Sequence, residues 1–346
     1  MGKRIVALAV AAALLFGMLP FPVSADHIAA GTCGDHLTWV IDEGRNLIIQ
    51  GSGEMYDYSE ETPPWYEYRD SIRVVRAEGG DNISAGAFRD CPKLVDLMVS
   101  GPHTIDAYAF SGCTNLKWID LYSVQMIGEG AFAGCRFIYQ VGNTDLIASI
   151  GDRAFEDSGD PWLFEFPFSD SLTHIGDAAF RNCSLRELSL GSNVESIGAD
   201  AFAGCGKVGE LAIPASVRFI GAGAFSEMNG ITAFVVDPEN PEYSNDGDGF
   251  LYNKDQTVLI QAPGQISSKY TAPQNLTAVE SKAFYRSWNL TEVVLSDSTV
   301  DLGDSAFEEC EQLTKITFGS KLRTIGARAF GNCAKLRYLH PVPRER

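Results

Sequence analysis

The residues best equipped for chemistry in this chain are eight Cys, five His and an excess of carboxylates. Seven of the cysteines (Cys91, Cys113, Cys135, Cys183, Cys205, Cys310 and Cys333) lie far apart at near-regular intervals. Zinc sites need close C-x₂₋₄-C pairs, and the sequence has none. Glu156-Asp157-Ser158-Gly159-Asp160-Pro161 carries the D-S-G order found around a serine-protease nucleophile. It lacks the flanking glycines, and no His and Asp are marked out to activate Ser158. Asp246-Gly247-Asp248-Gly249 has the look of a calcium loop. Phe250 and Leu251 then stand where an EF-hand needs a ligand and a Gly. A looser calcium site among Asp237, Glu239, Asn240, Asp246 and Asp248 competes with a plain polar turn. His27, His36, His103, His174 and His340 are scattered, with no H-E-x-x-H. No pair of carboxylates is singled out as a glycosidase acid and nucleophile. The chain reads as a non-enzyme that needs no cofactor and no metal.

What positions these residues is a repeat. Ala-Phe recurs with its Phe at 88, 110, 132, 155, 180, 202, 225, 284, 307 and 330. The spacing is 22 to 25 residues, apart from one gap of 59. An aliphatic residue precedes each Phe by five positions, from Ile83 to Ile325, and Gly follows it in seven of the ten units. Further aliphatics follow six and nine residues after Phe, such as Leu94 and Leu97 or Leu313 and Ile316. The unit is I-G-x-x-A-F-x-x-C-x-x-L-x-x-I-x-L. A period of this length is in the leucine-rich repeat range. The L-x-x-I-x-L end alternates as a short half-buried strand does. The I-G-x-x-A-F end predicts one helical or 3₁₀ turn. Gly112, Gly134, Asn182, Gly204 and Asn332 then supply the left-handed residue that ends it. The Cys position also takes Ser158, Met228 and Ser287, so it reads as a small or adaptable buried slot holding mostly free thiols. Cys33 stands outside this series.

Composition agrees with a folded extracellular chain. Of 346 residues, 45 are acidic and 27 basic, a net charge of −18. Nucleic acid is disfavoured because phosphate binding needs a basic footprint. Anionic lipid is disfavoured for the same reason. Lys3 and Arg4, the apolar Ile5 to Leu19, and Val23-Ser24-Ala25 form a secretory signal over residues 1–25, cleaved before Asp26. The apolar run is too short for a spanning helix. The mature chain is therefore expected outside the cell and not inserted in a membrane.

The repeat unit resembles the BspA-like, or treponemal-type, leucine-rich repeat family. Thr32-Cys33-Gly34-Asp35-His36-Leu37-Thr38-Trp39 resembles the opening of those proteins, as do Met55-Tyr56-Asp57-Tyr58 and Thr62-Pro63-Pro64-Trp65-Tyr66. The resemblance implies a secreted or surface protein of a microbe. Some members bind host proteins and mediate adhesion.

The expected organisation follows from the repeat. Residues 26–72 form an N-terminal β-hairpin cap, with Trp39-Val40-Ile41 and Leu47-Ile48-Ile49 as its strands. A first repeat block covers 73–236. A hairpin-containing insert covers 237–269, and a second block covers 270–346 with no evident C-terminal cap. The fold class is a β-rich leucine-rich repeat solenoid.

Outward strand positions should carry a partner. They offer Trp118, Asp120, Tyr139, Gln140, Trp162, Glu165 and Glu187, an aromatic and acidic strip. Trp and Tyr bury much area at low entropy cost. The expected function is protein–protein interaction, extending to adhesion to host or neighbouring cells. Two alternatives compete with it. One is a carbohydrate-binding module that stacks sugars on the aromatics. The other is a structural envelope component that self-associates through its open C-terminal edge.

Overall fold

The computed structural model describes residues 27–59, 61–161, 164–206 and 209–341. The signal segment and Trp162 lie outside the described residues. The chain forms two compact units, one ending at Leu172 and the other beginning at Thr173. Each is a β-solenoid built from the repeat.

In the first unit, His27–Thr32, His36–Asp42 and Asn46–Ser52 pair antiparallel. Asn46–Ser52 then pairs parallel with Val74–Ala77. Asp96–Val99, Trp118–Leu121 and Gln140–Gly142 extend the same sheet in parallel. Their burial alternates: Leu97, Val99, Ile119, Leu121 and Val141 point inward, while Trp118 and Gln140 are exposed. A second strip consists of two-residue strands, Asn82–Ile83, Thr104–Ile105, Met126–Ile127 and Ser149–Ile150, also parallel. Each ends on the aliphatic residue five before the repeat Phe.

The third side of the coil is the Ala-Phe segment. The predicted helical turn takes the form of successive tight turns, such as Ala87 N–H to Ser84 O and Arg89 N–H to Gly86 O. Two left-handed residues per coil prevent a helix. One is two after Phe, as the sequence pattern predicts: Asp90, Gly112, Gly134 and Asp157 all have positive φ. The other is two before Phe and was not foreseen: Gly86, Tyr108, Gly130 and Arg153. Alternating handedness turns every second N–H toward the next coil. Gly86, Phe88 and Asp90 donate to the carbonyls of Ala107, Ala109 and Ser111 at 3.1, 2.8 and 2.8 Å. The coil is thus hydrogen-bonded laterally on three sides, which satisfies backbone groups without a helix.

The side chains inside form ladders. Trp65, Phe88, Phe110, Phe132 and Phe155 stack face to face with centroids 5.0 to 5.4 Å apart. Trp65 opens the stack, and its Nε1 donates to Ala87 O at 2.8 Å. The cysteines run beside it. Cys113 and Cys135 donate Sγ–H to the carbonyls of Phe88 and Phe110 at 3.1 and 3.2 Å. Ser158 does the same with Oγ to Phe132 O at 2.6 Å. The slot therefore selects a small donor, which explains the exchange of Cys for Ser.

The second unit repeats this design. His174–Ile175, Ser196–Ile197 and Phe219–Ile220 pair in parallel, as do Glu210–Ile213 and Ala233–Val236. Tyr243–Asn245, Leu251–Asn253 and Val258–Gln261 form an antiparallel set. Regular coils resume with Lys269–Thr271, Glu292–Val294, Lys315–Phe318 and Tyr338–Pro341. Phe180, Phe202 and Phe225 form one stack, and Phe284, Phe307 and Phe330 another. The Gly after each aliphatic residue marks close coil contact. A Cβ on Gly221 would lie 2.3 Å from Ala199 N.

Candidate partner-binding surface

The outward face of the main sheet in the first unit is built by register. Val74, Asp96, Trp118 and Gln140 are Cα partners across successive coils, and Glu165 bridges to Gln140. Arg76, Met98, Asp120 and Gly142 form the adjacent row. Coils about 4.8 Å apart place these side chains side by side.

Five of the strip residues meet here. Trp118 is 45% exposed although its strand neighbours are buried. The Tyr139 ring meets it edge-on at 5.9 Å and 85°. Lys117 Nζ lies 5.8 Å from the Trp118 ring and 5.4 Å from the Tyr139 ring, a cation held over two π faces. Asp120 accepts a hydrogen bond from Asn143 Nδ2 at 2.7 Å. Gln140 and Glu165 are exposed at the edge of the patch. Asp96 is held above the usual carboxylate range by burial and by the neighbouring Asp120 charge. The face presents an aromatic pair, which interface centres favour, flanked by one cation and several acceptors of the polar kind found at interface rims.

Two strip residues are placed differently. Trp162 lies outside the described residues. Glu187 is exposed in the second unit, between the buried Leu185 and Leu188. Position counting from Phe reaches Glu187 with a one-residue deletion placed after Cys183. No strand forms over residues 183–191. The sequence reading also passed over Tyr122 and Met126, both half exposed beyond the Trp118 strand. Tyr122 occupies an outward position two after Asp120, which periodicity would have found.

The motifs with catalytic or metal overtones have structural work. Ser158 Oγ accepts from Cys135 N–H at 3.0 Å as well as donating to Phe132 O. Asp246 Oδ1 accepts from the N–H groups of Asp248 and Phe250, and its Oδ2 accepts from the Tyr252 hydroxyl. Asp237 caps the N–H of Glu239, and buried Asn240 bonds Pro214, Val217, Glu242 and Tyr243. Among the described residues the cysteines form no disulfide. Burial pushes the Cys33 and Cys310 thiols up to about 12, so they are poor nucleophiles. Among the described residues no helix is long and apolar enough to cross a membrane.

The chain matches the family model described as BspA type leucine rich repeat region, in six copies over residues 73–161, 160–248 and 265–342. A leucine-rich cell surface protein from Faecalibacterium prausnitzii is similar in structure, with a TM-score of 0.59 at 20% identity, over 93% of this chain and 97% of that one. The pneumococcal vaccine antigen PcpA is similar with a TM-score of 0.60 at 21% identity, over 90% and 76%. A leucine-rich repeat protein from Eubacterium ventriosum has a TM-score of 0.52 at 20% identity, over 91% and 86%. No curated protein sequence matches. At these identities the structural neighbours speak for the fold, and the family model identifies the repeats themselves: this chain belongs to the BspA-type leucine-rich repeat family.

Proposed function

We propose that the protein is a secreted or cell-surface-associated scaffold that binds a protein partner, with adhesion to host or neighbouring cells as its role. The Trp118–Tyr139 pair carries this reading. It is an exposed aromatic centre, fixed on in-register strands and ringed by Lys117, Asp120, Gln140 and Glu165. Aromatic anchors in such settings are worth about 2 kcal/mol or more on truncation to Ala. Two structural neighbours, a cell surface protein and a vaccine antigen, support the location.

The test is binding of the purified protein to arrayed extracellular-matrix and mucosal glycoproteins, before and after enzymatic deglycosylation. Binding that survives deglycosylation and weakens at least thirtyfold in a Trp118→Ala, Tyr139→Ala double variant supports the proposal. Unchanged affinity in a folded double variant removes the strip from consideration. Binding that vanishes on deglycosylation replaces a protein partner with a glycan.

A further inference from the structure

The acidic excess of the chain is locally reversed at one place. Beside the strip lies an open groove of about 510 Å³ lined by Arg45, Arg73, Lys93 and Lys117, with Ser71 and Asn115 among the remaining lining residues and no carboxylate. Four cations converge on one groove of a chain with net charge −18. Among the described residues none of the four pairs with a carboxylate.

The groove is built by the coil register. Arg73 N–H donates to Arg45 O at 3.0 Å, Val95 N–H to Arg73 O at 2.8 Å, and Lys117 N–H to Val95 O at 2.9 Å. This row runs across four strands, about 14 Å at the usual strand spacing. Lys93 sits two residues before Val95, beside the row. Arg45 is fixed at its base, since its residue closes the Asp42–Asn46 turn and its Nη1 donates to Ser71 Oγ at 3.3 Å. Ser71 Oγ in turn donates to Tyr68 O at 2.8 Å. Lys117 forms the end of the row nearest the strip, where it faces the Trp118 and Tyr139 rings.

We infer that this groove binds an anionic polysaccharide, with its sulfate or carboxylate groups on the four cations. Cations in a line match anions repeated along a linear chain. Hydroxyl and amide side chains at Ser71 and Asn115 suit sugar hydroxyls, and the aromatic pair beyond Lys117 offers a face for a pyranose ring. Arg45, Arg73 and Lys93 lie outside the protein-binding strip, whereas Lys117 and the aromatic pair beyond it belong to both sites.

The experiment measures binding of the full-length secreted protein to an immobilised heparin decasaccharide, to its desulfated counterpart, and to a single-stranded DNA of equal charge, at 50 and 150 mM salt. Wild type should bind the sulfated chain, more weakly at the higher salt. An Arg45→Gln, Arg73→Gln, Lys93→Gln, Lys117→Gln protein should bind at least tenfold more weakly. A control with the same charge change, Arg218→Gln, Lys321→Gln, Arg323→Gln, Arg337→Gln, should stay within twofold. The exposed single changes Arg73→Gln and Lys93→Gln should each cost two- to threefold, which keeps the test valid if the quadruple variant misfolds. Retained binding to the desulfated chain assigns the recognition to carboxylates, and its loss assigns it to sulfates. Three results overturn the inference: no binding of either polysaccharide by wild type, equal weakening in both quadruple variants, or equally tight binding of the DNA. An Arg45→Gln, Arg73→Gln, Lys93→Gln protein, with Lys117 retained, that still binds its protein ligand, beside a Trp118→Ala, Tyr139→Ala protein that does not, separates this site from the strip.

Discussion

Phe110 is the most direct test of the aromatic stack. Its ring has no exposure and lies between Phe88 at 5.1 Å and 6° and Phe132 at 5.4 Å and 5°. Phe110→Ala removes the ring and leaves a void that neighbouring coils cannot fill. The expected cost is about 3–5 kcal/mol. With a urea m-value of about 1–3 kcal/mol/M, the midpoint falls by at least about 1 M. Phe110→Leu keeps most of the apolar volume and loses two ring contacts, each worth about 0.5–1.5 kcal/mol. Its cost should therefore be about 1–3 kcal/mol. The shared contact can be isolated. Phe110→Leu and Phe132→Leu each delete the contact between those two rings, so the double variant loses three contacts and the two singles together count four. The double should cost less than their sum by about 0.5–1.5 kcal/mol. Phe88→Leu with Phe155→Leu shares neither a contact nor a stacking partner and should be additive. Urea unfolding followed by tryptophan fluorescence reads this, since Trp39, Trp65 and Trp118 lie in the same unit. Additivity at the 110/132 pair, or a Phe110→Leu protein as stable as wild type, refutes the stacking argument.

Two further outcomes follow from backbone geometry and from buried thiols. Gly134 has φ of 75° and open space around its missing Cβ, so Gly134→Ala should cost about 1 kcal/mol from left-handed strain alone. Gly247 is unconstrained and has nothing within 4 Å, so Gly247→Ala should stabilise by about 0.4–1 kcal/mol; urea midpoints moving the same way in both would contradict this. Cys33 and Cys310 titrate near 12 in the fold against an ordinary 9.0, because burial disfavours the thiolate. Between those values the unfolded chain binds fewer protons than the folded one, so stability falls as pH rises through that window. The urea midpoint should be level from pH 6 to 8 and decline above pH 9, and a midpoint that rises there is incompatible with buried thiols.

Most of the coil was legible because each coil repeats the same burial problem. The buried Ile, Phe and Leu positions follow from the spacing of apolar residues, and Gly or Asn after Phe betrays one left-handed residue. The second left-handed position, two before Phe, was hidden. Tyr108, Arg153, Ala178 and Lys282 occupy it, and none of these types signals positive φ. The lateral hydrogen bonds that compensate their strain come from the next coil. For the same reason a helical turn was expected where successive turns occur.

The surface divides in the same way. Outward strand positions can be counted along the sequence, which brings Trp118, Asp120, Tyr139, Gln140 and Glu165 to one patch. The count fails at Glu187, because the strand row is interrupted there. The basic groove was only partly readable. Arg73 and Lys117 stand 44 residues apart, two repeats of 22, and Lys93 lies two before the same position in the coil between them, but Arg45 precedes the first coil and joins them only because parallel pairing sets the Asn46–Ser52 strand beside the first coils.

The sequence by itself determined the coil, its core and the slot for a small buried donor. These depend on residue type and period, which every unit carries within its own residues. Tertiary structure alone decided which charges share a groove and where the strip ends. Those depend on register between coils, a property that no single unit contains.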